Sequence, residues 1–561
     1  MSKRLLSKGT RQIHPSKIGR STHIIGSNDI SKPTQPELDI IDGLTLVKDQ
    51  NFESPSQYTS KARQKYLLKK LPIVKEIFKC EEHPGFLSYR KPSHLPNPYY
   101  DAYARRIINV ESGVAEYKGT ARLSVTKMLT KRWCELREAF DIYSNVPIYE
   151  HNQVKVGKRE HQKLEDAAHA PPLNVQDFQE DFELDIPDDP FHSLVEEWLL
   201  AITKMTTLFH KGYARELLCH GYIDSRTGEL TTGKVEDEEE VLVSGVVDHL
   251  FIRNKSFSNK HSVPLDEHLL ENGNNDLRLV LELILDSLKN AGDLEVIVSD
   301  VKTRPTLSVP SQSSVIKASK LQVMYYRYFL ELLGNDPQIA YQKLLTNAVR
   351  RGFDVERHVD PAKIIHCLEI DNTFMEDMKR LKSGIPIGFA PFDDADKRST
   401  SPETYSMLSL NDKITDLRIQ QKYSELFDDW STPVTLKYFA ARMAQLYACI
   451  APLLSQNLMV EYYRGDYNFH NMAFAYDLQE LKKQSFDSAL FWFGKREILP
   501  IKQNLKNFET YCKFCDYQSV CLWKKEGQDL CQTLGKNLAQ IHDQGSLESG
   551  NDLHIHHETN S

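Results

Sequence analysis

Long apolar runs are missing from this sequence, and cysteines are few. No stretch approaches the roughly 18 consecutive apolar residues of a membrane-spanning helix, which excludes a membrane transporter. The nine cysteines among 561 residues are odd in number and irregularly spaced, unlike the disulfide framework of a secreted domain. We therefore expect a protein that works in a reducing compartment.

An overall positive charge is also missing. The formal net charge is −8, so nucleic-acid binding would need local basic surfaces rather than a global attraction to polyanions. Apolar residues make up 40% of the chain, which is ordinary for a packed globular protein. A length of 561 residues predicts either several domains or one domain with large insertions.

Acidic residues are absent before Asp29, whereas lysines and arginines recur through the same segment. This composition is typical of a mitochondrial transit peptide, and the segment lacks the apolar core of a secretory signal. A disordered basic tail is the alternative, because Pro15 and Gly19 interrupt a long amphipathic helix. Residues 1–55 are expected to be mostly unpacked.

Hydrophobic periodicity predicts helices and strands from about residue 123 onward. An inserted loop is predicted at 254–278, and a polar connector near 392–404 interrupts a mainly helical region that runs from 321 to about 456. The predicted helices cover 124–140, 158–168 and 191–209, and the predicted strands cover 240–252 (two strands meeting near Gly245), 294–302, 458–463 and 471–476.

The main chemical signal lies in the strand that ends at Lys302. Side chains alternate along a strand, so Asp300 and Lys302 share one face and Val301 points to the other. Asp248 ends the earlier apolar strand, and its carboxylate would meet that of Asp300 if the two strands are neighbours. Two converging carboxylates form a hard oxygen site suited to Mg²⁺ or Mn²⁺. Taken alone, each motif is more often an ordinary solvated strand end.

Two helices add polar residues around these strands. His161 and Glu165 are four positions apart on an upstream helix, and Gln322 and Tyr326 are four apart on a downstream helix. The order of a helix with His, a strand with Gly-x-x-Asp248, a strand with Asp-x-Lys and a helix with Gln-x-x-x-Tyr resembles the RecB-like branch of the PD-(D/E)xK nucleases.

The resemblance implies a role for each of these residues. Asp248 and Asp300 would hold the metal ion, with the carbonyl of Val301 and His161 completing its ligands. Lys302 would position the attacking water. The remaining candidates have supporting roles: Gln322 and Tyr326 would hold the substrate or the lysine in register, and Glu165 would serve a second metal or the polar network of the sheet.

A locally basic segment follows Asp300. No acidic residue occurs between Asp300 and Glu331, and a phosphodiester backbone is the natural ligand of such a segment. A solvated basic helix face is the alternative. The residues expected to bind substrate are Arg304, Lys317, Lys320 and Arg327.

Three cysteines near the C-terminus form a C-x2-C-x5-C pattern made of Cys512, Cys515 and Cys521. Three thiolates need a fourth ligand to close a tetrahedral Zn²⁺ site or to hold an iron–sulfur cubane. The candidates for the fourth ligand are Cys80, Cys134, Cys219 and Cys531.

A helix beginning Ser124-x-Thr126 and containing Trp133-Cys134, together with Cys521-Leu-Trp523, resembles the exonuclease V family. The resemblance extends from about residue 120 to 525. It implies a [4Fe-4S] cluster held by Cys134, Cys512, Cys515 and Cys521.

The resulting expectation is an α/β fold of the RecB-like type, in which a central mixed sheet is flanked by helices. An iron–sulfur staple would join the N- and C-terminal parts. The expected segments are a basic leader (1–55), the first part of the nuclease core (56–340), a helical insertion that forms a lid (341–456), the second part of the core with the cysteines (457–525) and a polar tail (526–561).

The predicted function is metal-dependent hydrolysis of single-stranded DNA from 5′ ends in mitochondria. The protein is expected to be a monomer without membrane contact. A single-strand-binding protein or a separate helicase would be its partner, because the chain contains no G-x-x-x-x-G-K-[ST] motor motif. Two alternatives remain at this point: the nuclease subunit of a helicase–nuclease, and a non-catalytic nucleic-acid-binding module with a structural metal cluster.

Overall fold

A mixed seven-stranded β-sheet with helices packed around it organises the computed structural model of this chain. The prediction of an α/β protein is confirmed at this level. None of the helices in the described residues is long and apolar enough to cross a membrane. The structure describes residues 71–548 except 105, 109–114, 118–121, 133, 145–151, 170–177, 180–181, 183–184, 234–238, 257–261, 274, 397–404, 407–415 and 428. The predicted leader and Trp133 lie outside the described residues.

The strands fall into the main sheet and two short pairs. In the main sheet the strand order is β11-β10-β7-β6-β4-β5, and β3 pairs with β6 beside β7. The bounds are β1 Arg106–Ile108, β2 Ala115–Tyr117, β3 Arg122–Ser124, β4 Tyr213–Asp224, β5 Leu230–Thr231, β6 Glu240–Asn254, β7 Leu294–Thr303, β8 Tyr405–Ser406, β9 Asp429–Trp430, β10 Asn457–Arg464 and β11 Tyr467–Ala475.

The helices follow the predicted periodicity over most of their length. Several of them start at side-chain caps, as where Asp189 accepts hydrogen bonds from two backbone N–H groups at the start of α3, which is followed by Gly212 with φ +84°. The bounds are α1 Glu135–Ser144, α2 Asn152–Ala168, α3 Pro190–Lys211, α4 Leu269–Gly273, α5 Leu277–Leu288, α6 Ser313–Gly334, α7 Pro337–Arg350, α8 Pro361–Ile370, α9 Met375–Lys382, α10 Ala390–Asp396, α11 Leu417–Lys422, α12 Leu436–Ile450, α13 Leu478–Trp492, α14 Leu505–Thr510 and α15 Leu522–Glu548.

The centre of the sheet decides which strand ends meet. β6 runs antiparallel to both β4 and β7, and β7 runs parallel to β10. The pair His249↔Ser299 is the last in the β6–β7 ladder, so Asp248 and Asp300 come next on the two strands. The expectation that these two aspartates lie on neighbouring strands is therefore confirmed.

Three local predictions were wrong. β6 is one continuous strand through Gly245 and not two strands that meet there. The predicted helix at 124–140 is instead β3, then 3₁₀ turns at Val125–Met128 and Thr130–Arg132, and only then α1, because residues 122–124 pair with β6. The predicted loop at 254–278 contains α4 and the start of α5.

β4 was not predicted at all. Its first half, Tyr213-Ala-Arg-Glu-Leu-Leu-Cys-His, has no β-branched residue and no clean alternation of apolar and polar side chains. Pairing with β6 along almost its entire length makes it a strand, and that pairing is a property of the tertiary structure.

A small second core joins the two ends of the described chain. Phe78 and Leu87 from the N-terminal part pack with Phe140 of α1 and with Tyr517 near the C-terminus. The backbone of Leu87 also exchanges hydrogen bonds with Val520 and Leu522. Residues before 100 and after 510 therefore form one structural unit around α1.

The helices between 341 and 456 are held by a buried ion pair. Asp377 and Arg442 are both completely buried, and the guanidinium donates two hydrogen bonds of 2.7 and 2.6 Å to the carboxylate. Tyr438 and Arg380 donate to the same carboxylate at 2.8 and 3.0 Å. Every lone pair of Asp377 thus has a donor, which offsets the cost of burying its charge.

We expect Asp377→Ala to lower the free energy of unfolding by about 3–5 kcal/mol, because it leaves Arg442 charged and buried without its partner. Urea denaturation followed by circular dichroism measures this change.

The matched control is Asp286→Ala, which breaks an ion pair with Lys289 in which both side chains are about three-quarters exposed. It should change stability by less than about 0.5 kcal/mol. Equal effects of the two substitutions would show that the buried pair is not what holds these helices.

Candidate active site

A row of carboxylates crosses three neighbouring strands of the sheet. Glu216 on β4 lies opposite Asp248 on β6, between the pairs Arg215↔His249 and Leu217↔Val247. Asp300 on β7 lies on the other side of Asp248, one position beyond the last β6–β7 pair. The row therefore sits where the β6–β7 pairing ends and the β4–β6 pairing is interrupted, a place at which side chains can face a ligand.

The backbone at this row is irregular. Glu216 has φ +51°, in the left-handed region that a residue with a side chain seldom adopts. On β6, the Asp248 carboxylate takes the place of a ladder partner, because its Oδ2 accepts a hydrogen bond of 2.8 Å from the Val301 N–H. Such local strain is typical of functional sites.

His161 completes a group of possible metal ligands. It lies on α2, and each of His161, Glu216 and Asp248 has a ligand atom within 4.8 Å of those of the other two. Gly157, one turn earlier, brings α2 close to the sheet, since a Cβ there would lie 3.3 Å from Oγ1 of Thr303. The chemistry of this set, one imidazole and two carboxylates beside a third carboxylate, suits a divalent cation.

Lys302 connects the carboxylate row to α6. Its ammonium lies 2.9 and 2.8 Å from the two oxygens of the completely buried Asp300, and it donates to Oε1 of Gln322 at 3.2 Å. The amide of Gln322 donates in turn to the Tyr326 hydroxyl at 2.7 Å. Oδ2 of Asp300 is nevertheless buried without a well-directed hydrogen bond. This oxygen could bind a cation.

Burial and like charges shift the titration of this row. Burial raises the pKa of both Asp300 and Asp248, and their mutual repulsion adds to this at Asp300, whereas Lys302 acts in the opposite direction. Burial would lower the pKa of His161, but the hydrogen bond to Glu216 and the nearby carboxylates outweigh it and raise that pKa. The carboxylate row therefore carries excess negative charge, which a bound cation would neutralise.

Gly245 makes room for the helix that carries these residues. A Cβ at Gly245 would lie 2.7 Å from a ring carbon of Tyr326, which itself is buried. Gly245 does not mark a break between two strands, as predicted, but allows β6 and α6 to lie in close contact. Any side chain there would displace Tyr326 and, with it, Gln322.

An open cavity lies in front of the carboxylate row. It is lined by α2, by Asp248 within β6, by the ends of β7 and β10 and by the first half of α6. Among the described residues, none from 341–456 lines this cavity. The lid expected from that segment is therefore not found in the described part of the chain, and α2 lines the cavity instead. The basic residues that line the cavity are Arg132, Lys158, Lys302, Arg304 and Arg464.

The structure brings only one of the four expected substrate-binding residues into this cavity. Arg304 lines it, whereas Lys317 lines a neighbouring cleft and pairs with Glu480 at 2.8 Å. Lys320 lies over the ring of Phe474. Arg327 is buried and donates to the Ser455 carbonyl at 2.9 Å, so it stabilises the fold and is not available to a substrate.

Sequence reasoning missed Glu216 and Arg464. Glu216 lies in the unpredicted strand β4, and its approach to Asp248 follows from strand pairing alone. Arg464 is the last residue of β10, one position beyond the predicted strand, and only the parallel β7–β10 pairing brings it to the cavity. Glu165 also lines the cavity, but its carboxylate is paired with Lys204 at 2.6 Å.

The four cysteines expected to act together line one cavity. Cys134 precedes α1, and Cys512, Cys515 and Cys521 lie between α14 and α15, with Arg137 and Trp523 beside them. Burial raises the pKa of each thiol, to about 12 for Cys512 and Cys515 and to about 11 for Cys521. Cys219, Cys367 and Cys449 are buried elsewhere.

The chain is similar to known proteins over most of its length. The model of the exonuclease V family, described as a 5′ deoxyribonuclease, matches residues 114–524. The mitochondrial exonuclease V of Kluyveromyces lactis is 42% identical over 542 residues, 93% of this chain and 98% of the relative. That of Eremothecium gossypii is 46% identical over 477 residues, 85% and 90% of the two chains. That of Saccharomyces cerevisiae is 37% identical over 528 residues, 87% of each chain.

With a family model that spans both the carboxylate row and the cysteines, and with relatives that match over most of their length, the chain belongs to the exonuclease V family.

Proposed function

We propose that this protein is a mitochondrial, metal-dependent exonuclease that hydrolyses single-stranded DNA from its 5′ end. The observation that carries the proposal is the row of Glu216, Asp248 and Asp300 with Lys302 at its end, facing a cavity with basic residues. The relatives are named mitochondrial, in agreement with the basic leader.

Asp248 and Asp300 would hold Mg²⁺ or Mn²⁺, together with His161, Glu216 and the carbonyl of Val301. When bound, the metal would polarise the scissile phosphoryl group and lower the pKa of a bound water. Lys302 keeps its ammonium beside Asp300 and faces the cavity, where it can orient the water or stabilise charge on a phosphoryl oxygen.

Gln322 and Tyr326 act through Lys302. The hydrogen-bond chain from Lys302 to Gln322 to Tyr326 holds the ammonium in one position, so little reorganisation is needed during the reaction. These motif residues follow one another as α2, β6, β7 and α6, which supports a RecB-like core.

The cysteine cavity would hold a [4Fe-4S] cluster through Cys134, Cys512, Cys515 and Cys521. A single tetrahedral Zn²⁺ requires sulfurs about 3.8 Å apart. In the described residues no three cysteine sulfurs lie within 4.8 Å of one another, which favours the larger cluster. The cluster would join α1 to the C-terminal part of the chain and close a very long loop.

A non-catalytic DNA-binding module is the second candidate. Its only support is that the cysteine cavity could be purely structural. A module without catalysis has no use for Lys302 held between Asp300 and Gln322 at the edge of the cavity, and we therefore favour the enzyme.

The proposed activity is tested with linear and circular single-stranded DNA of the same sequence, at matched salt and Mg²⁺. We expect the linear form to be degraded and the circle to resist, because an exonuclease needs an end and the strand would pass between α2 and the sheet. Equal cleavage of both forms would show an endonuclease with an open groove. No cleavage of either would remove the enzymatic proposal.

Asp300→Asn should lower the cleavage rate ~100-fold or more, since the amide keeps the size of the side chain but removes the charge that holds the metal. Binding of single-stranded DNA should be largely retained. End-labelled substrate and fluorescence anisotropy measure the two properties.

Lys302→Ala should be comparably inactive but should still bind metal, whereas Glu216→Gln should bind it more weakly. Isothermal titration with Mn²⁺ separates these defects, and Glu267→Gln, at an exposed carboxylate, is the control. A rate for Asp300→Asn above about a tenth of the wild-type rate would refute the assignment of this residue.

Cys134→Ala should lose visible absorbance, thermal stability and nuclease activity together, because Cys134 is the only cysteine of the four that lies next to α1. The control is Cys531→Ala on α15, which lies outside the cysteine cavity and should retain all three properties. A Cys134→Ala protein that stays folded and fully active would show that the cluster is dispensable.

A further inference from the structure

Two loops leave the sheet side by side at the mouth of the cavity. β7 and β10 are parallel, with the last pair at Thr303↔Tyr463, and the Arg304 N–H donates to the Tyr463 carbonyl at 2.7 Å. The chain after β7 and the turn after β10 therefore start at the same edge of the sheet. This edge is where the carboxylate row ends.

The hairpin formed by β10 and β11 has an arginine and a tyrosine side by side at its turn. Arg464 and Tyr467 are directly paired across a two-residue turn in which Gly465 has φ +62°, so their side chains lie next to each other on one face. Arg464 and Gly465 both line the cavity. That face of the hairpin is consequently directed toward the proposed site of cleavage.

Neither side chain is used by the fold. Tyr467 is 62% exposed, and among the described residues its ring and hydroxyl have no partner. Arg464 is exposed and likewise has no ion pair in the described part of the chain, whereas most other cavity-lining charges, such as Glu165, Glu216 and Lys302, are paired. The acidic residue at the tip, Asp466, is exposed as well and does not pair with it.

The loop after β7 places apolar side chains beside the cavity. Leu307 and Val309 are 57% and 42% exposed, between Pro305 and Pro310, which line the cavity. Exposed apolar side chains that are grouped and rimmed by polar residues mark ligand-binding grooves, whereas single scattered ones do not.

We propose that Arg304, Leu307, Val309, Arg464 and Tyr467 form a subsite for one unpaired nucleotide next to the scissile phosphate. The arginines bind its phosphates, and the ring of Tyr467 stacks on its base, with Leu307 and Val309 as the apolar wall. Stacking needs an unpaired base, so this subsite selects single strands over duplex. The proposal rests on the proposed nuclease function and adds to it the part that recognises the base.

The experiment uses the full chain with Asp300→Asn as the parent, so that binding is measured without cleavage. Fluorescence anisotropy is recorded with oligothymidine and with an oligonucleotide of the same length made of abasic units. We expect Tyr467→Ala to weaken oligothymidine binding on the order of 10-fold and to leave binding of the abasic strand unchanged. Tyr467→Phe, which keeps the ring, should match the parent.

Arg464→Ala should weaken binding of both strands and reduce the salt dependence by about one counterion. Phe486→Ala, at an exposed ring on α13 outside the subsite, is the control and should bind both strands as the parent does.

A Tyr467→Ala protein that binds oligothymidine like the parent would overturn the proposal, and so would an equal loss for both strands. Failure of the parent itself to bind either strand would instead refute the proposed function.

Discussion

The rest of this structure depends on the crowding of negative charge across three neighbouring strands of its central sheet. The carboxylates on β4, β6 and β7 meet where the β6–β7 pairing ends and the β4–β6 pairing is interrupted, and Asp300 is entirely buried. Burying such charges costs several kcal/mol each unless a cation accompanies them. Burial is the main reason why the pKa values of Asp248 and Asp300 are raised; the neighbouring carboxylates add to the rise, and Lys302 offsets part of it.

The surrounding elements are arranged to keep that crowded row in place. Gly245 lets Tyr326 lie directly over β6, and Tyr326 fixes Gln322, which fixes Lys302. On the opposite face of the same strands, Glu461 accepts hydrogen bonds from His249 and Tyr463. Burial would raise the pKa of Glu461, but His249, Ser299 and Arg215 outweigh it and lower that pKa to about 2. Hydrogen bonds on both faces of the sheet therefore hold these strands in place.

The proposed cluster in the cysteine cavity would have a different role, which is to connect distant parts of the chain. The second core around α1 is small, with few fully buried side chains, and contains residues from both ends of the described chain. A core of this size contributes little stability by itself. Three of the four cysteines pack against this core, so a bound metal cluster would add metal–ligand bonds to its stability, as in small metal-stabilised domains.

The sequence by itself allowed the chemistry of this protein to be predicted. Alternation along strands and the four-residue spacing along helices are local rules, and they showed which of Asp248, Asp300, Lys302, Gln322 and Tyr326 share a face of a strand or helix. The pattern of Cys512, Cys515 and Cys521 indicated a metal centre for the same reason. The order in which these motifs occur then carried the resemblance to a nuclease family, and the resemblance implied a role for each residue.

Only the tertiary structure decided which other residues join them. Glu216 reached the carboxylate row through the pairing of β4 with β6, and Arg464 reached the cavity through the parallel pairing of β10 with β7. Arg327 was misjudged because nothing in the local sequence shows that its side chain is buried against Ser455. Strand partners and burial depend on residues far away in the chain, so that no local pattern can specify them.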